Sequence, residues 1–188
     1  MIEIVPYQDR WPSEFAAIGR RLRSALGDAA LRIDHIGSTA VPGLAAKDVI
    51  DIQVSVLDLD AGVALLTSAG FVNVPENTRD HMPPGMDLPD HDLEKRMVEP
   101  PPGERAAHIH VRVEGRFNQR YPLIMRDYLR THPEAAAAVG ETKSALARHV
   151  GGDVDAYYDI KDPAYDILMA SATLWALAEG WSPAPSDA

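Results

Sequence analysis

The chain contains no cysteine among its 188 residues. That excludes disulfides, thiolate nucleophiles and cysteine-ligated zinc, and it fits a reducing cytoplasm. No apolar stretch approaches the ~20 residues that cross a bilayer, so no membrane partner is expected. The opening M-I-E-I-V-P-Y-Q-D-R lacks a basic region followed by an apolar one, which argues against a signal peptide. Positive charge is also in deficit: 18 Lys and Arg stand against 28 Asp and Glu, a net −10. Such a chain is a poor general binder of nucleic acid, whose phosphates demand a basic surface. The deficit is uneven. Residues 153–188 hold seven acids and one base, whereas residues 95–130 hold eight bases and four acids. A local basic strip of that kind suits a small phosphorylated ligand, or simply a solvated surface.

What is present is an ordinary globular composition, 46% hydrophobic and 24% charged, long enough for one domain with a real core. Residues 2–5 read as a short strand. Phe15, Ile18, Leu22 and Leu26 recur at three and four, predicting a helix over 11–26 with Pro12 in its first turn. Residues 31–36 read as a strand, and 49–56 as a near-continuous apolar strand buried on both faces. A helix over 59–69 opens on Asp58 and Asp60, read as cap and first-turn acids, and ends at Gly70. A strand over 71–74 follows. The Pro-rich segment 75–93 is a loop long enough to be functional or mobile. Residues 94–99 and 107–113 read as a hairpin. Helices are expected at 119–130, 133–149, 153–161 and 164–179. The S-P-A-P-S-D-A end, 182–188, reads as a disordered tail behind a single domain over 1–181. The order of elements is α+β, a mixed sheet backed by helices with a helical C-terminal part.

The chemistry-bearing residues gather in few places. Gly37-Ser38-Thr39 follows the 31–36 strand. Gly37 is free of a β-carbon, and the Ser38 hydroxyl and nearby amides can face phosphate oxygens, the favoured reading over a plain turn in which Ser38 or Thr39 caps a helix. Asp51 lies thirteen residues after Ser38, inside V-I-D-I-Q-V, where a buried lone carboxylate needs a partner or a metal. His108, His110 and Arg112 alternate along one strand and share a face, able to ligate a metal or to meet a phosphate. Lys47, Lys95, Arg96, Arg126, Lys143 and Lys161 complete the basic candidates, with Asp127 or Asp51 as a partner for Arg126. His81, Asp87, His91 and Asp92 in the long loop offer metal donors at irregular spacing.

The stretch D-H-I-G-S-T-A-V-P-G-L-A-A-K-D-V-I-D-I resembles the hallmark of the GrpB family, whose members read H-I-G-S-T-x-V-P-G-L-x-x-K-P-x-x-D-I; Asp48 stands where the family has proline. Later segments are similar in the same order: K-R-M, H-I-H-V-R, N-Q-R-Y-P-L-I-M-R-D-Y-L-R-T-H-P, K-S-A-L-A and Y-Y-D-I-K-D-P-A-Y-D-I-L-M. The resemblance implies a nucleotidyltransferase-like fold without implying a known reaction. GrpB-like domains also occur fused to dephospho-CoA kinase, which ties them by association to nucleotide or coenzyme A metabolism. In the wider superfamily, Gly-Ser precedes two carboxylates one residue apart that hold Mg²⁺ or Mn²⁺. Here Asp51 fills the first position and Gln53, a neutral and weaker ligand, the second.

Two functions follow as expectations. One is a metal-dependent nucleotidyl or phosphoryl transferase. Its catalytic residues would be Asp51, His108 and His110, its metal would sit on Asp51 and Gln53, and its ligand phosphates would be held by Gly37, Ser38, Thr39, Lys47, Arg96, Arg112, Arg126, Lys143 and Lys161. The other is a non-catalytic module that binds a nucleotide or coenzyme A precursor on the same scaffold. Both predict that Ser38, Asp51, His108 and His110 share one cleft.

Overall fold

A computed structural model describes residues 1–188. Five strands form one sheet: β1 (Arg32–Ile36), β2 (Ile50–Val56), β3 (Val72–Asn73), β4 (Lys95–Glu99) and β5 (Ala107–Val113). Their order is β1-β2-β5-β4-β3. The central pair, β2 and β5, is parallel, and the other pairings are antiparallel. Five helices complete the fold: α1 (Trp11–Leu26), α2 (Leu59–Ser68), α3 (Phe117–Thr131), α4 (Pro133–Val150) and α5 (Val154–Ala178). None is long and apolar enough to cross a membrane.

Strand alternation divides the sheet into two faces. Ile50, Ile52, Val54 and Val56 of β2, with Ala107, Ile109 and Val111 of β5, enter a core with Trp11, Phe15, Ile18, Leu22 and Leu26 of α1 and Leu59 and Leu66 of α2. α2 starts where Asp58 accepts from the amides of Asp60 and Ala61, the cap read from the sequence; such a cap is worth ~1 kcal/mol. The opposite face is covered by α3, on which α4 and α5 pack through Ile124, Met125, Leu129, Val139, Met169 and Ala172. β2 is buried on both faces, but its second face is polar. There Gln53 donates to the Gln119 carbonyl at 2.9 Å, and Gln119 donates to the Ser55 hydroxyl at 3.1 Å.

Three local readings are corrected. Residues 2–5 form no strand; Val5 makes a single bridge to Ala46. The two helices expected at 153–161 and 164–179 are one, α5, running through Pro163. A proline removes one helical hydrogen bond, and Tyr157, Met169 and Ala172, buried from both halves, hold them in line. The tail expected to be disordered lies along the free edge of β1. The amides of Asp187 and Ala188 donate to the Ile33 carbonyl at 3.1 Å, and the Asp187 carboxylate accepts from the His35 amide and from Arg126. An edge strand offers unpaired groups that invite such a segment.

Candidate functional site

The second face of the sheet carries three polar rows. Ile36, Asp51 and His108 lie side by side across β1, β2 and β5. Asp34, Gln53, His110 and Met97 form the next row, and Arg32, Ser55, Arg112 and Lys95 the third. Period-two geometry alone therefore brings the expected carboxylate and both histidines together. The His108 Nδ1 stands 3.3 Å from the Asp51 Oδ1, each side chain about a third exposed. Burial works to raise the Asp51 carboxyl, but the His108 hydrogen bond, both imidazoles and Lys47 outweigh it and hold the acid below its usual range. Burial, with Arg112 and Lys95 nearby, pushes His110 well below the usual imidazole range. Its Nδ1 is buried without a hydrogen-bond partner.

The Gly37 turn abuts Asp51. Gly37 has φ 67°, and a β-carbon there would stand 2.5 Å from the Asp51 Oδ2. Only glycine lets the chain pass so close. Ser38, next in the chain, lines a small recess together with Tyr165 of α5.

Three lysines from three parts of the chain surround this corner. Lys47 donates to the Tyr158 hydroxyl at 2.6 Å and lies 5.2 Å from its ring centre. Lys161 lies 5.3 Å from the Tyr158 ring and 4.6 Å from that of Tyr165, and donates to Asp162 at 3.0 Å. Lys143 is 4% exposed, and its amine donates to the Ala45 carbonyl at 2.8 Å. Burial first, then the charges of Lys161 and Lys47, bring Lys143 down to about 7 against the opposing pull of Asp51.

Beside the corner opens a cleft of about 650 Å³. His108, His110, Arg112, Lys95 and Met97 form its floor, the 77–83 segment one wall, and α3 and α5 the other. Phe117, Tyr121, Tyr158 and Tyr165 line it with aromatic surface. A smaller recess of about 110 Å³ holds Gly37 and Ser38 and shares Tyr121, Pro122 and Tyr165 with the cleft. His108 and His110 thus line the cleft and Ser38 the adjoining recess, while Asp51 lines neither and meets them through His108 and the Gly37 turn.

Asp80 ties the long loop to the floor. It accepts from Arg112 at 2.9 and 3.0 Å, from Lys95 at 2.7 Å and from Asn118 at 3.1 Å. Against the cost of burial, those cations hold it well below the usual carboxylate range. Higher in the loop, His81 meets Asp166 of α5 at 2.9 Å, and Asp166 also accepts from Tyr121. Sequence reasoning missed Asp80, Asp166 and the cleft tyrosines. One signal was available: Tyr158 and Tyr165 lie seven apart, on one face of a helix, next to Lys161.

Several expected residues are committed elsewhere. Gln53 is fully buried, and its Oε1 accepts from Arg112 at 2.9 Å, so it faces no ligand. Arg112 does border the cleft, but its guanidinium is spent on Gln53 and Asp80. Arg96 points to the other side of the sheet, pairing with Asp60 of α2 at 2.9 Å, because alternation puts it opposite Lys95. Arg126 is buried, bonded to the His35 carbonyl, Asp127 and Asp187, and braces α3 against β1. Thr39 is buried against the His35 Nε2 at 2.9 Å. The loop donors His81, Asp87, His91 and Asp92 do not converge, and no three His, Asp or Glu side chains do so anywhere in metal-ligand geometry. Mg²⁺ and Mn²⁺ need several hard oxygens. With Gln53 taken by Arg112 and histidines beside Asp51, the residues present do not fit the expected metal site.

The mixed sheet with its antiparallel flanks and helical cover defines an α+β protein, the class expected from the order of elements. Within that class the chain belongs to the GrpB family, whose model, described as GrpB protein, matches residues 1–170. The crystal structure of the conserved protein GrpB from Enterococcus faecalis superposes with a TM-score of 0.72 at 26% identity, covering 96% of this chain and 100% of that one. A UPF0157 protein of Pseudomonas aeruginosa is 39% identical over 91% of this chain and 67% of its own length. A dephospho-CoA kinase of Mycolicibacterium paratuberculosis is 35% identical over 97% of this chain and 48% of its own. The chain thus spans about half the length of the dephospho-CoA kinases it matches. A likeness of fold alone extends to the GLD-2/RNP-8 complex, with a TM-score of 0.51 at 13% identity over 78% of this chain and 46% of that one.

Proposed function

We propose that this protein binds a nucleotide or another phosphorylated small molecule. The phosphate end lies at the corner formed by Ser38, Lys47, Lys143 and Lys161, and the organic end occupies the aromatic cleft. One observation carries this reading: Lys47 and Lys161, from separate segments, stand over the same Tyr158 ring, and the buried Lys143 of a third segment feels the charge of both, in a chain of net −10. Lysine ammonium groups are point charges suited to phosphate oxygens. Tyr121, Tyr158 and Tyr165 offer flat faces to a base. The likeness to dephospho-CoA kinases makes coenzyme A precursors natural members of the ligand class. The chain acts as a binding module, because the second carboxylate of a metal-dependent transferase is replaced by a committed amide.

One observation favours transfer as a second reading. Asp51, held ionised, faces the His108 Nδ1 and orients an imidazole that could accept a proton from an acceptor hydroxyl.

A thermal-shift panel of nucleotides and coenzyme A precursors, with and without Mg²⁺ or Mn²⁺, separates the readings. A ligand at ~100 times its dissociation constant adds about 2.7 kcal/mol of stability. The binding reading expects stabilisation without metal, and an Asp51→Asn variant that still binds. Stabilisation that requires metal and disappears in Asp51→Asn would favour transfer. No stabilisation by any member would remove the phosphate-ligand reading.

A further inference from the structure

Lys143 has an unusual setting. It projects from α4 to the 41–49 connection, where the residue is almost wholly out of solvent and its amine meets a single acceptor, the Ala45 carbonyl. An ammonium has three donors and wants an anion; a neutral amine is content with less. The charged groups acting on it are Asp51 from β2, Lys47 from the same connection as Ala45, and Lys161 from α5. Asp162 is engaged by Lys161 at 3.0 Å, so Asp51 is the one carboxylate left for Lys47 and Lys143. His108 already shares that carboxylate. The corner is short of negative charge for three ammonium groups, and a phosphate supplies what is missing.

We infer that an oxyanion seated among Lys47, Lys143 and Lys161 binds together with a proton, and that Lys143 is the group that takes it up. This rests on the phosphate-ligand reading above. The proton comes from solvent and joins the lone pair of Nζ; no other bond forms or breaks. Burial and the two neighbouring lysines leave the free amine titrating at about 7, so above neutrality it is mostly uncharged. A nearby polyanion favours the charged form. Lys47 and Lys161 recruit the anion, and Lys143 charges only once it has arrived.

The test is calorimetry with ATP and no added metal, in two non-phosphate buffers of different ionisation enthalpy. At about pH 8 the apparent binding enthalpies should differ by most of one proton per ATP, and at about pH 6, where Lys143 is already charged and the terminal phosphate carries a proton it can lose, the uptake should vanish or turn into release. Lys143→Met should weaken binding roughly tenfold and abolish the uptake. Lys161→Met, which also lifts one of the charges that depress Lys143, should weaken binding and reduce the uptake without abolishing it, whereas a merely structural role for Lys143 predicts no uptake in either protein. If Lys143→Met does not fold, Lys143→Gln takes its place, and the wild-type buffer comparison stands alone. Equal enthalpies in the two buffers at about pH 8, or uptake that survives loss of Lys143, overturn the inference and leave the ligand reading intact. ATP that produces neither heat nor thermal stabilisation removes the ligand reading and the inference with it.

Discussion

At the scale of single residues, Gln53 decides most. It occupies the second carboxylate position of the superfamily pattern, but its oxygen serves Arg112 and its amide serves the Gln119 carbonyl. A Gln53→Asp substitution therefore restores the pattern without restoring a site. The new carboxylate would pair with Arg112, and the Gln119 carbonyl would lose its donor. A buried unpaired acceptor costs about 1–3 kcal/mol. The expected outcome is lower stability in urea with no gain in Mn²⁺ affinity by calorimetry; tighter Mn²⁺ binding would revive the metal-dependent transferase. The departure at Gln53 was legible in the sequence, as were Asp51, His108 and His110. The partner of Gln53 was not, because Arg112 reaches it across the parallel strand pair, and no local spacing reports that register.

At the scale of elements, the long loop is held by Asp80. Its carboxylate faces Arg112, Lys95 and Asn118 together. Asp80→Asn leaves two largely buried cations without their anion, a change on the order of 3 kcal/mol. Limited proteolysis should then cut within residues 75–93 well before the sheet unfolds; a loop as protected as in the wild type would show that other contacts hold it. The pH dependence has the same source. The folded acid titrates below its unfolded value of about 3.9. The unfolded chain therefore binds the proton first, and the stability this acid contributes is fully present above about pH 4 and is lost as pH falls further. Strands and helices were largely readable from two- and three-to-four-residue periods. α5 was not, since Pro163 reads as a break, and burial of Tyr157 before it and of Met169 and Ala172 after it overrides that. Asp80 escaped notice because a carboxylate in a polar loop has no periodic signature.

For the whole molecule, the fold was visible in one motif and its later companions, which the family match and the Enterococcus structure bear out. Charge was legible only in part. The basic strip over residues 95–130 suggested the phosphate site, yet of its members Arg96 turns to the opposite face and Arg112 and Arg126 are neutralised internally. The lysines left to meet a ligand, Lys47, Lys143 and Lys161, lie outside that strip. Their field is set in a −10 chain, so capture of an anion should be sensitive to ionic strength. The Debye length shrinks from ~10 Å at 0.1 M to ~3 Å at 1 M. Affinity for ATP should fall steadily as salt rises through that range, measured by titration calorimetry. Affinity indifferent to salt would move the ligand away from the lysine corner.

The parallel pairing of β2 with β5 sets Asp51 beside His108, fifty-seven residues later in the chain. β1 and β2 meet through a short connection, but their central neighbour arrives only after α2, β3, the long loop and β4 have been passed. Joining ends so far apart costs closure entropy, and contacts of high sequence separation slow folding. A chain emerging from the ribosome therefore shows an open, apolar flank of β2 until residue 113 is available. The acid of the pair exists early as an isolated group; the dyad exists only once the last strand has joined the sheet. Recovery of a ligand-competent corner during refolding should accordingly coincide with closure of the sheet and never precede it.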